Sequence, residues 1–71
     1  MLIEQLGNII KQRRKTLGIT QVHLAELAGV NPNTIIRIEK GQINPSIEVI
    51  NNIAEVLGME LSLLLKSSGN S

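Results

Sequence analysis

The residues best placed to do chemistry in this chain are Asn33, Thr34 and Arg37. Asn33 and Thr34 precede Arg37 by four and three positions, a spacing that gathers all three on one face of a helix. An arginine in such a row can fork onto guanine O6 and N7, and an asparagine can grip adenine N6 and N7. The row follows Gly29 within Thr20 to Pro45, TQVHLAELAGVNPNTIIRIEKGQINP, which reads as two short helices joined by a tight glycine turn. In a unit of that kind one helix braces against a duplex while the other lies in the major groove. Lys40, Gln42 and Asn44 flank the end of the second of these helices, where they suit phosphates of the opposite strand.

Composition narrows the chemistry. The net charge of +1 does not announce a nucleic-acid partner, but its distribution is uneven. Lys11, Arg13, Arg14 and Lys15 cluster near the end of the first helix, and Arg37 and Lys40 lie on or beside the third, whereas Glu48, Glu55 and Glu60 lie toward the C-terminal end. One face can therefore neutralise phosphates while the total stays near zero. The chain has no Phe, Tyr or Trp, so it lacks the rings on which single strands and RNA usually stack. Duplex DNA is the nucleic acid that fits. Catalysis does not: no Ser/His/Asp or paired-carboxylate grouping stands out, and so small a chain leaves little room for a deep pocket. His23, the single histidine, falls on the outer side of the second helix and reads as a solvated side chain. No metal site, cofactor or enzymatic activity is expected.

The elements that must hold this row are modest. At 71 residues the chain is one domain, and a chain of this size buries only about 60% of its unfolded surface. Cysteine is absent, so neither disulfides nor thiolate metal sites can help, and self-association is the remaining common way to bury more. No apolar run reaches the roughly 18 residues of a membrane span and no signal peptide is evident, so a soluble, cytoplasmic protein is expected.

The first helix is expected over Leu2 to Leu17, with Leu2, Leu6, Ile9, Ile10 and Leu17 at helical spacing and Gly18 as its cap. Thr20 suits the N-cap of a second helix over Gln21 to Ala28, with Leu24, Leu27 and either Ala25 or Ala28 inward. Asn31 followed by Pro32 is a cap with proline at the first helical position. This third helix should run from Pro32 to Lys40, bury Ile35 and Ile38, and stop at Gly41. A fourth begins near Pro45 or Ser46, with Asn44 and Ser46 as rival caps. Its stripe of Ile47, Ile50, Ile53, Ala54 and Leu57 ends at Gly58.

Met59 to Lys66, MELSLLLK, alternates mostly with a period of two; a strand is preferred there over a short fifth helix. A lone strand needs a partner, which a second copy of the chain would supply across a symmetric dimer. The folded domain is then 1–66, with a disordered tail over 67–71. The expected class is all-α: a compact four-helix domain, or five helices if the C-terminal segment is helical.

From about Leu6 to Leu57 the chain resembles the phage-repressor type of helix-turn-helix domain, the Cro/C1 or XRE-like family. The resemblance rests on Arg13-Arg14, Leu17-Gly18-Ile19-Thr20-Gln21, Leu24-Ala25, Gly29-Val30, Ile35 with Ile38-Glu39-Lys40-Gly41, Pro45-Ser46 and Ile53-Ala54-Glu55-Val56-Leu57-Gly58. It implies the lambda-repressor type of fold and a homodimeric repressor acting at a palindromic operator. It places Gln21 against a phosphate, and Asn33, Thr34 and Arg37 against bases. Helix capping is the alternative for Gln21, and a merely solvated face the alternative for the row. Arg14 and Glu39 match an ion pair that ties the first helix to the third. Pro32 departs from the polar residues some relatives carry, and Ile36 is an unusual apolar residue, read as half-buried at the helix flank or against a thymine methyl. The segment Leu57-Gly58-Met59-Glu60-Leu61-Ser62-Leu63 is similar to HipB-type antitoxins, which implies an intersubunit strand using Met59, Leu61, Leu63 and Leu65, and a toxin as a further partner. An interaction module that kept the fold but lost DNA binding is the alternative function.

Overall fold

The computed structural model describes residues 3–61 and contains four α-helices. They are α1 (Ile3–Leu17), α2 (Gln21–Ala28), α3 (Pro32–Glu39) and α4 (Ile47–Val56). Their boundaries follow local capping chemistry. The Thr20 hydroxyl accepts the His23 N–H at 3.0 Å, Asn31 Oδ1 accepts the Asn33 N–H at 2.8 Å, and the Ser46 hydroxyl accepts the Val49 N–H at 3.2 Å. Each of these bonds satisfies an amide that would otherwise lack an intrahelical partner. Ser46, not Asn44, therefore caps α4, and α3 closes one residue early, with Lys40 as its cap. Gly29 ends α2 at φ +73°, a left-handed backbone that side chains with a Cβ rarely adopt, and the chain turns there toward α3.

α2 packs on both α3 and α4, and α1 packs on α3. Leu24, Ala25, Ile35, Ile38, Ile53 and Leu57 form the centre of the core, with Ile10, Ala28 and Ile50 around it. Leu6, Ile19, Val30, Ile43, Val49 and Val56 pack at its edge. Gly7 lies where α1 crosses the end of α3: a methyl group there would collide with the Ile38 carbonyl oxygen and crowd the backbone of Glu39. A glycine inside a helix costs about 1 kcal/mol against alanine, and here the close helix approach explains it.

Two apolar expectations are corrected. Leu27 is 56% exposed and Ile47 77% exposed. With about 100° between successive helical residues, the buried face of α2 is centred on Leu24, Ala25 and Ala28, and Leu27 lies roughly 110° from that centre. Ile47, in the first turn of α4, stands about 120° around the axis from fully buried Ile53. Ala54 is only half-buried. Among the described residues there is no strand, and the chain leaving α4 is irregular over 59–61. The rest of the segment in which a strand or fifth helix is expected, and the tail over 67–71, lie outside the described residues, as does Leu2. Among the described residues no helix is long and apolar enough to cross a membrane.

Candidate nucleic-acid interface

α3 sorts its side chains by face. Ile35 and Ile38 turn into the core, while Asn33 and Arg37 are exposed, and Thr34 is half-buried between them. Among the described residues none bonds to the Asn33 or Arg37 side chain. Ile36 is half-buried at the flank of the same helix. The exposed row is thus a donor-bearing ridge on a helix anchored from behind by two isoleucines.

Beyond α3 the Gln42 amide N–H donates to the Arg37 carbonyl at 2.9 Å and the Gly41 N–H to the Ile38 carbonyl at 3.0 Å, so the chain turns tightly off the helix. Lys40, Gln42 and Asn44 are all exposed on this turn. His23 is exposed on α2, as expected. Among the described residues no group of three or more His, Cys, Asp or Glu is arranged to hold a metal ion.

Behind the ridge lies a polar cluster joining α1, α2 and α3. Arg14 Nε donates to Glu39 Oε2 at 2.7 Å, and its Nη2 donates to Glu39 Oε1 at 3.1 Å. The third arm, Nη1, donates to the Ile19 carbonyl at 2.9 Å, in the connection leading into α2. This is the fork-on-carboxylate geometry that makes an arginine pair strong and directional. Both side chains are largely buried, Arg14 to 11% and Glu39 to 2% exposure. Gln21 joins the pair: its Nε2 donates to Glu39 Oε1 at 3.0 Å. Capping is not the role of Gln21, since Thr20 performs it.

Sequence reasoning missed the Gln21–Glu39 contact, and also that Arg13 Nε donates to the Leu57 carbonyl at 2.9 Å, clamping the end of α4. A basic residue suits the negative end of a helix, but no periodic signal ties Arg13 to a carbonyl that far along the chain. Gly7 carried a legible signal, a glycine in the middle of an apolar helical pattern.

An apolar groove of about 150 Å³ opens between α1 and α4, with Leu6, Ile9, Ile50, Met59 and Leu61 among its walls. Ile9, Met59 and Leu61 are 38%, 39% and 47% exposed. Of the four expected interface residues, Met59 and Leu61 meet at this groove, while Leu63 and Leu65 lie outside the described residues.

Comparisons with known proteins agree with this geometry. The model of the helix-turn-helix family matches residues 10–64. An HTH-type transcriptional regulator of Methanothermobacter thermautotrophicus is 48% identical over 55 residues, covering 78% of this chain and 80% of its own. The immunity repressor protein of Bacillus phage phi105 is 35% identical over 60 residues; these span 84% of this chain but 42% of the repressor. Among solved structures, the restriction-modification controller protein C.AhdI of Aeromonas hydrophila superposes with a TM-score of 0.79 at 29% identity, over 82% of this chain and 88% of its own. The clp gene regulator ClgR of Corynebacterium glutamicum does so with a TM-score of 0.81 at 30% identity, over 84% of this chain and 64% of ClgR. With a capped α2, a glycine turn and an α3 whose polar ridge stands clear of the core, this chain belongs to the helix-turn-helix family of transcriptional regulators, of the XRE or Cro/C1 type, and is not an enzyme.

Proposed function

We propose that the chain is a sequence-specific binder of double-stranded DNA that acts in the cytoplasm as a homodimeric repressor on a palindromic operator. The observation that carries this reading is the pair of exposed, unengaged side chains Asn33 and Arg37 on a helix whose other face is locked into the core. Arg37 reads a guanine, Asn33 an adenine, and Thr34 a neighbouring base edge. Gln21, Lys40, Gln42 and Asn44 hold phosphates on either side and set the docking. The phage immunity repressor among the relatives favours repression over activation.

A second copy is supported by the α1–α4 groove, an apolar surface that a chain this small gains by covering. The dimer places two α3 ridges in successive major grooves about 34 Å apart. The narrower antitoxin role rests on the C-terminal resemblance alone, and copurification with a protein encoded beside it is its test.

Selection of bound sites from a random duplex pool tests the reading. The expected result is an inverted repeat whose half-sites lie about one helical turn apart. Arg37→Ala should then cost about 1–3 kcal/mol at one base pair of each half-site while leaving random duplex bound nearly as before. Failure of the wild-type chain to retard any duplex at low salt would favour the interaction-module alternative.

A further inference from the structure

The acidic residue nearest the candidate interface has no obvious place there, because a carboxylate repels phosphate. Its surroundings resolve this. The Glu39 side chain is 2% exposed, its charge is matched by the Arg14 fork, and Oε1 receives a further hydrogen bond from Gln21. An ionised carboxylate only accepts hydrogen bonds, so the end of the Gln21 amide turned toward it must be the NH2. One of the two Nε2 hydrogens is thereby committed to Glu39, and the second N–H and Oε1 are left with fixed directions. A glutamine without this tether rotates about three side-chain bonds and can present either end of its amide. Phosphate accepts only, so an untethered Gln21 would approach it in the wrong sense part of the time.

We propose that Glu39 is a positioning residue for duplex binding: without touching DNA, it holds the Gln21 amide so that its second N–H is ready to donate to a backbone phosphate. The inference rests on the reading of Gln21 as a phosphate contact. It extends that reading to a residue otherwise explained by α1–α3 packing alone. Arg14 takes part by holding the Glu39 carboxylate in place, and the bond from Arg14 to the Ile19 carbonyl keeps the start of α2 in register with both. Pre-orientation of this kind raises affinity by removing the ordering cost at the moment of binding.

The test uses the full chain and a random-sequence duplex, because a phosphate contact does not depend on base sequence. Gln21→Ala should weaken binding about tenfold, as for one lost hydrogen bond to a charged group. Glu39→Gln should weaken it severalfold, and the double variant should bind no worse than Gln21→Ala, since both changes remove the same contact. Effects that multiply in the double variant, or Gln21→Ala binding as wild type, would overturn the inference.

Glu39→Gln strands Arg14 and can unfold the chain, so the wild-type protein supplies a second measurement. On titration with the duplex, one side-chain amide proton of Gln21 should shift strongly while its partner, bonded to Glu39, stays nearly unmoved. Two unmoved protons, or two that move alike, overturn it. Wild-type chain that binds no duplex sinks the DNA-binding reading itself, whereas intact wild-type binding with multiplying effects sinks only the role of Glu39.

Discussion

Two regions of this molecule solve burial differently. Behind α3 a polar cluster is complete: Glu39 is matched by Arg14 and Gln21, and among the described residues no buried side-chain nitrogen or oxygen lacks a partner. Between α1 and α4 the surface closes on carbon, with Ile9, Met59 and Leu61 left partly in water around an apolar groove. The first region needs rigidity more than extra buried area, because a ridge proposed to read bases would have to hold its position. The second region lacks area, and a second surface would provide it. A small domain can thus divide the two demands between separate regions, provided that neither disturbs the core of Leu24, Ile35, Ile38 and Ile53.

The largest effect expected is at the polar cluster. Glu39→Ala should lower stability by about 3–5 kcal/mol in urea unfolding, because it leaves the Arg14 guanidinium buried without its counter-charge. Replacing both partners by apolar residues of similar volume should recover most of that loss; if it did not, the pair would be more than a mutual neutralisation. Next in size is Gly7→Ala, expected to lose about 1–3 kcal/mol in the same assay even though alanine favours helix. A stabilised Gly7→Ala variant would mean that α1 can move away from α3 freely, and the claimed rigidity of that region would fail.

A smaller effect belongs to the apolar groove. Ile9→Glu should leave the monomer folded and weaken self-association about tenfold, about 1.4 kcal/mol, by sedimentation equilibrium. Unchanged self-association would remove the groove from the proposed interface. Smallest is Ile47→Ser, a change at a 77% exposed side chain outside both regions, which should stay within about 0.5 kcal/mol in stability.

Helix ends were the most legible part of this fold, because Thr20, Asn31-Pro32 and the glycines act locally: a hydroxyl or amide bonds an amide two or three residues on, whatever the rest of the chain does. Asn44 and Ser46 were indistinguishable by type, since both can cap; only the path of the chain through Pro45 put Ser46 in range of Val49. Leu27 and Ile47 misled for another reason. Being apolar does not place a residue on the inward arc of a short helix, and helices of eight and ten residues hold few inward positions to calibrate the phase. The α3 row was readable from spacing because one face had to be buried and the other not. The Gln21–Glu39 bond was not, because it joins two elements 18 residues apart through side chains whose types alone suit many partners.

Arg13 and Arg14 look in the sequence like half of a basic patch. Arg14 instead holds Glu39 and the Ile19 carbonyl, while Arg13 has its Nε engaged by Leu57. The exposed cations among the described residues are then Lys15, Arg37 and Lys40, with Lys11 half-buried. Few ions would leave the double helix when such a protein docks, so its grip should decline only gently as electrolyte is added, and discrimination between sites should persist where more basic proteins have already let go.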